Sequence, residues 1–106
     1  MYALTVRLNI RPQCMEDFMR ELAVLRVLIE REPDCLRFDV LRNTEHPGEV
    51  LMIEAWSSRD HFEQVQSKRA YYAPYFARVK SMWLDERQLG HWDVVSPVAT
   101  QPGYGL

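Results

Sequence analysis

The side chains best suited to chemistry in this chain fall in three short stretches: Arg37-Phe38-Asp39, Glu54-Ala55-Trp56 and Tyr71-Tyr72-Ala73-Pro74-Tyr75. Glu54 and Trp56 stand two residues apart, so on a strand they share one face. Tyrosines at a helix start line the space between helices and a sheet with their hydroxyls inward. There a hydroxyl can hydrogen-bond a substrate oxygen and stabilise an anion, and Arg37 or His61 can help hold it. Tyr72, Tyr75, Arg37 and His61 are therefore the candidate catalytic residues. Asn9, Asp39, Glu54, Trp56, Tyr71 and Trp83 are the candidate substrate-binding residues. Their rings offer apolar walls and their polar groups set charge and orientation.

Each candidate has a plainer alternative. Trp56, Tyr72, Phe76 and Trp83 also read as core, and Arg37, Asp39 and Glu54 as cross-strand ion pairs inside a dimer. His61 stands near a helix start, His46 in a turn and His91 at a strand edge, which suits exposed or structural roles. Three histidines without ligand spacing give no metal site. Cys14 and Cys35 form no Cys-x-x-Cys pair and are expected as small buried hydrophobes. No Gly-rich phosphate loop or nucleophile elbow is present.

The elements that must position these residues follow from periodicity. Tyr2 to Ile10 alternates apolar and polar, as a half-buried strand does. Pro12 suits the first turn of a helix, where Glu16 and Asp17 meet the positive end of its dipole. Phe18, Leu22, Leu25 and Ile29 recur at helical spacing until Glu32-Pro33 ends the helix. Leu36 to Arg42 alternates again, with Leu36, Phe38 and Val40 on one side. A turn at residues 43–48 leads to a strand from Val50 to Trp56. Ser57, with Asp60 three residues on, is the expected cap of a short helix whose inner side carries Phe62 and Val65. Pro74 opens a further helix presenting Tyr72, Phe76, Val79 and Trp83 on one face. His91 to Val95 reads as the last strand. A domain over residues 1–96 and a tail over 97–106 follow. The tail is expected to be unstructured or to lie across a partner.

This strand–helix–strand–strand–helix–strand order predicts an α+β ferredoxin-like sandwich with helices on one sheet face. With 106 residues and 47% hydrophobic content, the chain is short and apolar enough for the open face to be expected in a homodimer. A net charge of −2 gives no electrostatic case for nucleic acid. No apolar run approaches the ~20 residues of a membrane span. No signal peptide is visible, so a cytoplasmic location is expected.

Pro12 after a first strand, Glu32-Pro33-x-Cys35-Leu36-Arg37-Phe38-Asp39-Val40-Leu41, and Ile53-Glu54-x-Trp56-Ser57-Ser58 resemble the antibiotic biosynthesis monooxygenase (ABM) domain family over about residues 3–95. The resemblance implies ferredoxin-like subunits that dimerise through their sheets into an α/β barrel. Members include cofactor-free monooxygenases of aromatic polyketides, quinol oxygenases, haem-degrading enzymes and an isomerase of a phosphorylated sugar, so fold and chemistry are loosely linked. Many relatives carry histidines at the positions of Val65 and Ala70. The haem-degrading branch needs a tryptophan and a histidine where Val65 and about Tyr75 stand. The resemblance therefore implies a cofactor-independent monooxygenase of a small aromatic or quinol, using no metal, haem or flavin. An isomerase or cyclase on the same scaffold, or a non-catalytic ligand-binding dimer, are the alternatives.

Overall fold

The computed structural model of the protein describes residues 1–95. The tail expected over 97–106 lies outside them. Four strands, β1 (Tyr2–Asn9), β2 (Cys35–Arg42), β3 (Glu49–Trp56) and β4 (Gln88–Asp93), form one antiparallel sheet in the order β2-β3-β1-β4. Three helices, α1 (Met15–Glu30), α2 (Arg59–Gln64) and α3 (Tyr72–Val79), cover one of its faces. This is the α+β ferredoxin-like arrangement expected from the element order.

Periodicity explains the core. Tyr2, Leu4, Val6 and Leu8 of β1 and Val50, Met52, Glu54 and Trp56 of β3 all point at the helices and are buried. Met15, Phe18, Leu22, Leu25 and Ile29 form the apolar stripe of α1 that meets them. The pairing register aligns Phe38, Glu54, Leu4 and His91 in one row across all four strands. A carboxyl thus sits mid-row on the inner face of the sheet. Cys14 and Cys35 are free and half-buried against the core, not fully enclosed.

Four local expectations are corrected. A bulge between Cys35 and Arg37 takes Leu36 out of the alternation and leaves it exposed, while Phe38 and Val40 keep the inner face. Ser58, not Ser57, caps α2, its hydroxyl accepting from the His61 N–H at 3.0 Å. Ser57 instead donates to Asp34. Val65 is exposed, because α2 ends at Gln64 before it can turn inward. The last strand begins at Gln88 rather than His91, carried by its pairing with β1.

Gly90 has a steric reason to be glycine. A Cβ there would lie 2.3 Å from Thr5 Oγ1 and 2.7 Å from Trp92 Nε1. Trp92 folds across this gap and donates to Thr5 Oγ1 at 3.0 Å. The outer sheet face therefore carries an exposed indole, beside exposed Leu41 and half-exposed Leu51 and Ile53.

Candidate active site

Sheet and helices do not close completely on each other. Between them is a cavity of about 190 Å³. Its floor is the inner sheet face, with Leu4, Val6, Phe38 and Met52, and its roof includes Leu25 and Ile29 of α1 and Tyr72, Tyr75 and Phe76 of α3. An apolar cavity of ~150 Å³ accepts benzene, so this one has room for a single substituted ring.

Glu54 is the one carboxylate on the cavity wall. It is 7% exposed. Trp56, fully buried behind it, donates its indole N–H to Glu54 Oε1 at 3.0 Å. Burial pushes the carboxyl from an ordinary 4.5 up to about 7, with the Trp56 donor and the nearby Arg87 charge pulling the other way. A group titrating there alternates between acid and base near neutral pH, which suits proton transfer. One oxygen is fixed by Trp56, and no other hydrogen bond to this carboxyl is found among the described residues.

The tyrosines are neutral donors. Burial pushes the phenols of Tyr72 and Tyr75 well above their ordinary range. Gln66, fully buried below α3, donates from Nε2 to the hydroxyls of both Tyr71 and Tyr72, at 2.8 and 2.9 Å. Because the Tyr72 oxygen accepts from Gln66, its own proton is left to donate elsewhere. The indole N–H of Trp83, also on the cavity wall, has no acceptor among the described residues.

Arg87 completes the wall. Its guanidinium lies 4.8 Å from the Phe76 ring centre and 5.9 Å from that of Trp83. His91 stands at the cavity edge, with Nδ1 2.6 Å from the Tyr2 hydroxyl.

Of the residues singled out from sequence, the cavity brings together Glu54, Tyr72, Tyr75 and Trp83. Trp56 and Tyr71 stand one shell back, Trp56 behind Glu54 and Tyr71 paired with Tyr72 at 4.9 Å. The other four lie elsewhere. Arg37 and Asp39 pair with each other on the outer face, because Phe38 between them takes the inner one. The cross-strand pairing expected of these two with Glu54 is therefore not formed. Asn9 also faces away and donates to Asp85 at 3.3 Å. His61 Nε2 lies 3.1 Å from Asp34 at the start of α2. Gln66, Arg87 and His91 are contributors that the sequence did not single out as site residues. Gln66 opens a single 3-10 turn and Arg87 lies in a loop, both too short for a periodicity to show which way a side chain points. His91 faces inward because it pairs with Leu4 of β1, a register that the sequence of β4 does not show. Among the described residues no three His, Cys, Asp or Glu side chains group as metal ligands, and no helix is long and apolar enough to cross a membrane.

The model of the family described as antibiotic biosynthesis monooxygenase matches residues 1–73. That segment holds Glu54, Trp56, Gln66, Tyr71 and Tyr72, while Tyr75, Trp83, Arg87 and His91 lie beyond it. A protein of Pestalotiopsis microspora, named as a candidate monooxygenase, is 25% identical over 79% of this chain and 71% of its own length. A protein of Nitrosomonas europaea, described as a candidate antibiotic biosynthesis monooxygenase, superposes with a TM-score of 0.83 at 21% identity, over 91% of this chain and all of its own. SnoaB, a cofactor-independent oxygenase from Streptomyces nogalater, superposes with a TM-score of 0.78 at 14% identity, over 92% of this chain and 95% of its own. These superpositions establish the common fold.

Proposed function

The chain belongs to the antibiotic biosynthesis monooxygenase family, and we propose that it catalyses the cofactor-independent monooxygenation of a small, single-ring phenol or hydroquinone. The observation that carries this reading is Glu54: a carboxyl buried in an apolar cavity, titrating near about 7, beside the tyrosine donors. Such a group takes the proton of a bound hydroxyl. Tyr72, its oxygen already engaged by Gln66, donates to the phenolate that forms. Exclusion of water keeps the phenolate electron-rich. The phenolate then passes one electron to oxygen, and the resulting pair combines at a ring carbon as a peroxide. Loss of water leaves a ring carbonyl. In sum, a hydroquinone and O2 give a hydroxyquinone and water, with all four electrons that reduce O2 drawn from the substrate. No metal, haem or flavin takes part.

Asn9, Arg37, Asp39 and His61 are not assigned to this chemistry, since they stand outside the cavity. The outer sheet face is assigned to a second copy of the chain, forming a dimeric α/β barrel. Exposed Leu41 and Trp92 support this, because a lone subunit would leave both in water. Such a contact should bury more than ~1,000 Å² in total, and sedimentation at micromolar concentration should give a dimer.

The test is oxygen uptake with a panel of single-ring hydroquinones. Uptake that depends on enzyme and falls sharply in Glu54→Gln supports the proposal. Proton exchange into bound substrate without oxygen use would favour an isomerase. Binding with neither would mark a ligand-binding dimer.

A further inference from the structure

We propose that the substrate of this cavity carries a carboxylate on its ring and that Arg87 is the residue that recognises it. This rests on the cavity being the substrate site, as set out above. Arg87 is half-buried on the cavity wall and has no carboxylate within ion-pair reach among the described residues. Arg69 and Arg78 have such partners, Glu32 at 2.7 Å and Glu21 at 2.6 Å, while Arg11, Arg31 and Arg42, which also lack one, stand away from the cavity. Arg87 is held instead on two aromatic faces, those of Phe76 and Trp83. These cation–π contacts hold the guanidinium between two rings without using its N–H donors, which stay available to a planar anion.

A second donor without a partner lies in the ring beside the same guanidinium. The Trp83 indole, on which Arg87 lies, is 8% exposed, and its N–H is buried without an acceptor among the described residues. An unpaired buried donor is costly, and a ligand oxygen relieves that cost. A carboxylate supplies two oxygens in one plane, enough for a guanidinium edge and a second donor. The charge count agrees. The cavity wall carries Glu54, Arg87 and His91, so Glu54 is its one acidic group and Arg87 its one permanent cation. Arg87 bears on Glu54 only from beyond ion-pair distance, so an anionic ring would give it the direct partner that Glu54 does not.

Gentisate is hydroquinone with one added carboxylate, so the two form a matched pair of probes. Their dissociation constants should be measured without oxygen, by quenching of tryptophan fluorescence and by NMR titration. Gentisate should bind about tenfold to hundredfold more tightly, the range for one charge-assisted contact. The ratio should fall as salt rises. In Arg87→Gln it should collapse towards one, and in Arg87→Lys it should be partly kept, since charge remains but the fork is lost. Melting curves of each variant separate loss of recognition from loss of fold. Equal affinities for the two probes, or a preference that survives in Arg87→Gln, would overturn the assignment and leave Arg87 as a counter-charge for Glu54. If gentisate binds through Arg87 yet neither probe consumes oxygen, recognition stands and the oxygenase proposal fails.

Discussion

Glu54→Gln removes the charge of the buried carboxyl while keeping its shape and its ability to accept from Trp56. In the native protein this group titrates at about 7 instead of 4.5, because burial disfavours the carboxylate. The folded state therefore holds its proton more tightly than the unfolded chain does. Stability is full below the unfolded value, declines as pH rises from about 4.5 to 7, and stays low above that. The interval corresponds to about 3 kcal/mol. In a domain of this size that is more than ~10 °C in Tm. Glutamine carries no such penalty. The variant should melt well above wild type at about pH 8.5 and close to it at about pH 4, with protein concentration held fixed. Turnover should move the other way, falling by about 10²–10⁴ if Glu54 is the general base. A variant that is more stable and less active is not the signature of damaged packing. Equal Tm differences at both pH values would refute the argument that Glu54 is a desolvated acid. Unchanged kcat on an accepted substrate would remove it from the proton transfer.

Trp56→Phe takes away the donor that holds the Glu54 carboxylate, so the ascending limb of the pH–rate profile should move to higher pH. Tyr72→Phe should keep the fold and lower kcat about tenfold to hundredfold, as expected for one hydrogen bond to an anion; full activity would leave Tyr72 as a wall. Leu41→Lys places a charge on the exposed outer face and should shift sedimentation from dimer towards monomer. Ser58→Ala removes the α2 cap and should cost about 1 kcal/mol in denaturant unfolding while sparing ligand binding.

The elements were legible in the sequence wherever one face is continuously apolar. Tyr2 to Leu8 and the stripe from Phe18 to Ile29 announce themselves, and the fold follows from their order. Glu54 was visible as the polar residue among Val50, Met52 and Trp56 on one face of β3, and the structure gives that anomaly its place in the cavity. Sequence could not say whether it would pair with Arg37 across the strands. The face is decided by Phe38, whose large ring takes the inner side and turns Arg37 and Asp39 outward. The start of β4 was hidden for a related reason. Gln88, Gly90 and Trp92 do not alternate with a clear apolar set, and the strand forms because β1 offers it a paired edge. Gln66 and Arg87 matter through what lies above and below them, the tyrosine hydroxyls in one case and two aromatic faces in the other. Such contacts join parts of the chain that no local pattern connects.

Transfer of labelled oxygen is the most direct test of the central claim. An accepted single-ring hydroquinone should be turned over under ¹⁸O₂ with wild-type protein and with Glu54→Gln, and the product examined at short times by mass spectrometry. A monooxygenase working through Glu54 places one labelled atom in the hydroxyquinone and one in water, and the variant forms this product at a small fraction of the wild-type rate. Conversion of the hydroquinone to its simple quinone with no label, or labelled product formed equally fast by Glu54→Gln, would contradict the account.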